Sequence, residues 1–267
     1  MPSFENVSFP GVQGTTLAGT LDVPDGGARA WAVFCHGFTL GKNSAAASRI
    51  SKALAANGIG VLRYDAAGIG GSSGVWADGS FSTKVADIHS AAAYLQAQGR
   101  DVSLLVGHSL GGAAVLAAAG GLPGLAAVVT IAAPFKPSHV VHLFEAELDT
   151  IHAAGSADVD LGGRRMEIRR EFLRDLEAHD LTERILELRL PLLVMHSPTD
   201  KTVGIENASR IFSTARHPRN FISLEGSDHL MVDRKQTARA AAIIAAWAGT
   251  YLDLAPVPAA TAVGKTC

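Results

Sequence analysis

From Trp31 to the end of the chain, short runs of β-branched and other apolar residues alternate with stretches whose apolar residues return every three or four positions. Strand–helix–strand units produce this rhythm, and they predict an α/β fold with a mostly parallel central sheet covered by helices on both faces. The apolar runs place strands at Ala30–Cys35, Gly60–Tyr64, Val102–Val106, Ala126–Ile131, Leu190–His196 and Asn220–Leu224. Leu17–Val23, ahead of these, has the pattern of an antiparallel edge strand. Helical spacing links Ala46, Ile50, Ala53 and Leu54, then Val85, Ile88, Ala92 and Leu95, then Ala240, Ile243, Ile244 and Trp247. Asn57-Gly58 and Gly99 stand where the first two of these helices should stop, because glycine adopts the left-handed conformation that closes a helix without a β-carbon penalty.

The rhythm breaks between residues 134 and 188, which predicts a small cap inserted after one strand. Within it, Ser156–Ile168 has the pattern of a hairpin around Gly162-Gly163, followed by a charged helix over Arg169–His179. The run Arg164, Arg165, Arg169, Arg170, Glu171, Arg174 and Asp175 is either a binding patch for an anionic substrate or a solvated face of mixed sign, and the mixture of signs favours the second. Residues 254–267, rich in Ala, Pro and Val without helical spacing, are expected to be a linker-like tail. One α/β domain over 1–253, carrying the cap, is the expected organisation for 267 residues.

Composition narrows the function. With 48% hydrophobic and 18% charged residues and a net charge of -2, nothing favours disorder or nucleic acid as a partner. The first ten residues lack the basic and apolar regions of a signal peptide, and no stretch has the roughly 18 apolar residues of a membrane span. Two cysteines, Cys35 in a predicted strand and Cys267 at the last position, make no disulfide framework. A cytoplasmic protein without membrane attachment is therefore expected.

The strand Val102–Val106 runs into Gly107-His108-Ser109-Leu110-Gly111-Gly112 and then a helical stretch, which sets G-x-S-x-G in the strand-turn-helix context that exposes a nucleophilic serine. A serine hydroxyl is a weak nucleophile near neutral pH and needs a neutral imidazole to take its proton. Of ten histidines, His229 lies in the loop after the last predicted strand, at the carboxyl edge of the sheet, whereas His217 precedes that strand. His36 and His108 belong to the expected oxyanion and elbow segments, respectively. Asp200, in the turn after the preceding strand, is placed to orient the imidazole, and it completes the chain order Ser, Asp, His. Asp228 adjoins the base but should point elsewhere, and Asp65 should brace the Gly68–Gly71 turn. Attack on an ester creates an oxyanion, for which each preorganised N–H donor contributes ~3 kcal/mol. The amide of Leu110, at a helix N-terminus, and that of Phe38, after His36-Gly37, are the expected donors.

Taken together these residues resemble the α/β-hydrolase superfamily over Ala30 to Leu252. More narrowly, Arg63-Tyr64-Asp65 with Gly68 to Gly74, the elbow from Gly107 to Leu116, the segment Asp200 to Ala208 and the cap stretch Arg169 to Leu176 are similar to the hydrolase half of bacterial proteins fused to an OsmC-like domain. That resemblance implies a carboxylesterase-type module with Ser109, Asp200 and His229 as triad and Phe38 and Leu110 as oxyanion donors. The sequence stops at Cys267 ahead of any OsmC-like domain, so the chain is expected to be either a separate hydrolase or the hydrolase half of a fusion ending at the interdomain linker, with an OsmC-like domain as its partner. An apolar cap also leaves room for a homo-oligomer.

A small-molecule ester is the expected substrate, because the cap is short and no long apolar lid is visible. A thioesterase, a lactonase or a C–C hydrolase can share the triad, and a non-catalytic module serving an OsmC-like partner is the reading from another class. Haloalkane dehalogenases would carry Asp where Ser109 stands. No metal is expected: His139, His142 and Glu145 share a helical spacing, but no H-E-x-x-H or Cys-rich pattern accompanies them. No cofactor is expected either, since the glycines at 68–74 lack a dinucleotide-type helix entry.

Overall fold

A strand covered by helices on both sides must bury both of its faces, and the inner strands of this chain do so. The computed structural model describes residues 2–252. Its strands are β1 (Ser3–Pro10), β2 (Thr16–Val23), β3 (Ala30–Cys35), β4 (Ile59–Tyr64), β5 (Val102–His108), β6 (Ala127–Ile131), β7 (Ser156–Asp160), β8 (Arg165–Arg169), β9 (Leu192–His196) and β10 (Arg219–Ser223). Eight form one sheet in the order β1-β2-β4-β3-β5-β6-β9-β10, and β7 pairs with β8 in a separate antiparallel hairpin. From β4 to β10 every pairing in the large sheet is parallel, while β1 and β2 are antiparallel to their neighbours. The chain has the α/β-hydrolase architecture.

The helices are α1 (Ala45–Ala56), α2 (Phe81–Gln96), α3 (Leu110–Ala118), α4 (Leu148–Ala154), α5 (Arg170–Glu177), α6 (Thr182–Leu186), α7 (Ile205–Thr214) and α8 (Arg234–Leu252). Because side chains alternate along a strand, Ala32, Phe34, Leu104 and Val106 face Ile50 and Leu54 of α1 and Ile244 and Ala248 of α8 in one core. Val33, Cys35 and Leu105 face the other way, toward Ile88 and Leu95 of α2 and Val115 of α3. The start of α2 is held by a capping box: Ser80 Oγ accepts from the Thr83 amide, and Thr83 Oγ1 accepts from the Ser80 amide. Gly58, at φ 82°, follows α1, and Gly99, at φ 70°, follows α2.

One expectation is corrected. Leu17–Val23 lies within β2, which is antiparallel but is not an edge, because β1 pairs along its whole length outside it. Of β1 only Phe9 is buried, so a strand whose side chains mostly meet solvent left no apolar run to recognise. Helix α7, between β9 and β10, was likewise not foreseen.

Between β6 and β9 stand a run of 3-10 turns (Pro137–Glu147), α4, the β7–β8 hairpin, α5 and α6. The arginines here do not act as one patch. Arg165 approaches Asp158 at 4.0 Å, Arg169 pairs with Asp78 and Glu167, and Arg170 donates to the His152 carbonyl. The expected tail, 254–267, lies outside the described residues. No helix among the described residues is long and apolar enough to cross a membrane.

Candidate active site

The carboxyl edge of the sheet collects the site, because each parallel strand there hands its chain to a loop on the same rim. Strand β5 ends at His108, and Ser109 then turns the chain into α3 with φ 54° and ψ −127°. Such a conformation costs a non-glycine residue about 1–3 kcal/mol and persists only where neighbours enforce it. The Ser109 amide donates to the Ile131 carbonyl at 2.9 Å, which pins the turn to β6.

Two glycines let the turn form. A β-carbon at Gly107 would lie 2.3 Å from the Gly111 carbonyl oxygen, and one at Gly111 would lie 2.2 Å from that of Cys35 and 2.5 Å from that of His36. All of these are backbone atoms, so no rotamer change relieves the overlap. Gly111→Ala is therefore expected to cost more than about 2 kcal/mol by prising β3 from the elbow. Urea denaturation measures this, and an unchanged midpoint would show that the two segments separate freely.

The side chain of His229 bridges the other two residues. Its Nδ1 lies 2.8 Å from Asp200 Oδ2, and its Nε2 lies 3.0 Å from Ser109 Oγ. With Nδ1–H donated to the carboxylate, the neutral ring presents its Nε2 lone pair to the serine hydroxyl, which donates to it. The other carboxylate oxygen, Asp200 Oδ1, accepts from the amides of Thr202 and Val203 at 2.8 and 2.9 Å. Burial pushes the Asp200 pKa up, but the hydrogen bond from His229 and those from the Val203 and Thr202 amides outweigh it and hold the carboxyl below its usual value. The carboxylate is thus anionic at neutral pH and aimed at the ring.

Two buried histidines support this line, and neither had been assigned a role. His108 Nε2 donates to the His229 carbonyl at 2.7 Å and so ties the loop carrying His229 to the elbow. His196 Nε2 donates to the Val203 carbonyl at 2.7 Å and anchors the turn that supplies Asp200. The His108 contact joins segments 121 residues apart that meet only in the fold, whereas that of His196 closes the turn directly after its own strand, seven residues on.

His108 has a measurable consequence. Burial, then the neighbouring His229, pushes its pKa down to about 4. Unfolded, the ring takes a proton near its ordinary 6.5, whereas folded it stays neutral until about 4. The unfolded state therefore binds more protons in that window, and stability falls as pH drops through it, by roughly 3 kcal/mol from this ring at pH 4. His36 and His196, also lowered by burial, add loss of the same sign. Urea unfolding at pH 7 and pH 4.5 should show this decline, and His108→Asn should make it smaller, leaving the share of His36 and His196. An equal decline in the variant contradicts the assignment.

The loop after β3 brings Phe38 to the serine. Gly37 packs so close that a β-carbon there would lie 3.1 Å from that of Ser109. His36 fixes the loop from beneath: its Nδ1 donates to the Gly37 carbonyl at 2.8 Å, and its Nε2 accepts from the Ala66 amide at 3.2 Å. Phe38 stacks on Phe172 of α5, with ring centres 5.5 Å apart and planes at 15°. Its amide donates to no protein acceptor among the described residues, and the Leu110 amide opens α3 with no acceptor inside that helix. Asp65 lies farther back, accepting from the amides of Lys42 and Gly71 and pairing with the Lys42 ammonium. Asp228 accepts from the Val232 amide and faces away from the ring it adjoins.

A cavity of about 500 Å³ opens over Ser109, His229, Phe38 and Leu110. Val140, Leu143, Leu161 and Leu230 give it apolar walls, and His139, His142 and Arg164 add polar groups. His139 Nε2 donates to the Thr202 carbonyl, and His142 Nδ1 donates to the His139 carbonyl. Among the described residues no group of three or more His, Cys, Asp or Glu side chains is arranged to hold a metal ion.

The chain is similar to known hydrolases along its length. The family model of serine aminopeptidases of the S33 type matches residues 26–155. The esterase domain of a Rhodothermus marinus protein is 44% identical, with a TM-score of 0.77, and the match covers 94% of this chain and 99% of that domain. Est1E from Butyrivibrio proteoclasticus, solved with ferulic acid bound, matches at 17% identity and TM-score 0.75 over 92% of this chain and 100% of its own. Alpha/beta hydrolase domain-containing protein 10 from mouse matches at 19% identity and TM-score 0.76 over 92% of this chain and 99% of its own. No curated protein matches the chain. The fold, the strand-turn-helix elbow and the full-length likeness to the Rhodothermus marinus esterase domain agree: the chain belongs to the α/β-hydrolase family.

Proposed function

We propose that this hydrolase is a serine carboxylesterase that cleaves small acyl esters through an acyl-enzyme on Ser109. The carrying observation is the unbroken line from Ser109 Oγ through both nitrogens of His229 to Asp200 Oδ2, with spacings of 3.0 and 2.8 Å. In this reading Ser109 Oγ attacks the ester carbonyl as His229 Nε2 takes its proton, and Asp200 stabilises the imidazolium that forms. The carbonyl oxygen becomes an oxyanion between the Phe38 and Leu110 amides. Its collapse expels the alcohol, which takes the proton from His229. Water then repeats the sequence against the acyl-enzyme, releasing the acid and restoring the serine.

The 44% identity to an esterase domain supports the ester class. Thioesters and lactones pass through the same tetrahedral intermediate, and peptide-like amides are the class suggested by the name of the matching family model. Turnover of the purified protein on p-nitrophenyl acetate and butyrate, an acyl thioester, a lactone and an aminoacyl p-nitroanilide separates these. The esterase reading expects kcat/KM to be highest for the esters. Preference for the anilide, or hydrolysis of none of the panel, would sink it.

A further inference from the structure

Of the cap arginines, Arg164 alone borders the cavity over Ser109. It sits at the tip of the β7–β8 hairpin, where Gly162 and Gly163 take positive φ of 70° and 84° and the Leu161 amide closes the turn onto the Arg164 carbonyl. From there its Nη1 donates to the Thr39 carbonyl at 3.1 Å. Thr39 directly follows Phe38, so this bond holds the guanidinium beside the loop that supplies an expected oxyanion donor. It uses one of five N–H donors, and among the described residues no carboxylate pairs with the others. Arg165, Arg169 and Arg170 are engaged elsewhere.

Among the described residues no carboxylate of the cavity forms an ion pair with that cation. Asp160 is the one carboxylate along its wall among the described residues, and its Oδ1 accepts from the Gly163 amide within the hairpin turn. Asp200 stands behind His229, committed to that ring and to two amides. The other titratable groups facing the space are His139, His142 and His229, which carry no negative charge in either protonation state.

We infer that Arg164 selects, among the esters of the proposed reaction, those carrying a second, anionic group, with a carboxylate as the simplest case. Apolar walls take the carbon chain, and the free edge of the guanidinium takes the carboxylate through paired charge-assisted hydrogen bonds. The inference rests on the esterase reading and adds a substrate class to it.

The test compares kcat/KM for charged and neutral esters of equal carbon number in two arms. Monomethyl adipate against methyl hexanoate places the charge on the acyl side, and 6-acetoxyhexanoate against hexyl acetate places it on the alcohol side. The wild-type protein is expected to favour the anionic member about tenfold in one arm, which identifies the side, and to lose part of that preference in high salt. Arg164→Gln should bring the ratio close to one, and Arg164→Lys, which keeps the charge but not the paired bonds, should retain only part of it. The ratio is unaffected by any general loosening of the Thr39 loop, which would slow both members alike. Neutral esters turned over with no anionic preference, or a preference that survives Arg164→Gln, overturns this inference alone. No hydrolysis of any ester overturns the esterase reading with it.

Discussion

Replacing Ser109 by alanine should lower kcat for short p-nitrophenyl esters by roughly 10⁴- to 10⁶-fold while leaving the fold intact. Among the described residues the side chain makes a single hydrogen bond, to His229 Nε2, so its removal takes away the proposed nucleophile and little else. Any residual rate would come from the oxyanion donors and from substrate binding, which are untouched. Alanine at φ 54° is under the same backbone strain as serine, so the unfolding midpoint should move little. A variant that folds and retains more than about a hundredth of the activity would place the chemistry on another residue.

Asp200→Asn should produce the second largest loss, about 10³- to 10⁴-fold in kcat, with KM changed little. An asparagine can keep the bonds from Thr202 and Val203 on its carbonyl oxygen, which turns its NH₂ toward His229. That group donates where the carboxylate accepted, so the ring moves its proton from Nδ1 to Nε2. Nε2–H then faces the serine and can no longer take its proton. Steady-state kinetics separates kcat from KM here, and a fall of less than tenfold in kcat would mean that the carboxylate does not govern the tautomer.

The sheet was legible in the sequence because its inner strands are apolar on both faces, which makes continuous runs that stand out between amphipathic helices. Strand β3 was located to the residue. At the outer edge the same principle works in reverse. β1 faces solvent along most of its length and had no such run, so β2 was mistaken for the boundary of the sheet. The hairpin at 156–168 was visible because two adjacent glycines mark a tight reversal.

For the site, chain order and strand ends were enough to bring together Ser109, Asp200 and His229, since a parallel sheet delivers the ends of neighbouring strands to one rim. What stayed hidden depends on how loops pack over that rim. His108 anchors His229 from 121 residues away in sequence, and Arg164 reaches Thr39 across 125. Neither pairing leaves a periodic or local trace. The charged cap run was read as a solvated face, and the fold divides it: most of its cations are paired or bonded on the outside, and one is turned to the cavity.

Mass spectrometry of the protein after reaction with a fluorophosphonate tests the central claim most directly, because that reagent labels only a serine whose proton a neighbouring base removes. The account predicts one stoichiometric adduct on the peptide containing Ser109, with labelling slowed by orders of magnitude in His229→Ala. An unlabelled Ser109 in protein that hydrolyses esters, or equally fast labelling without His229, would contradict it.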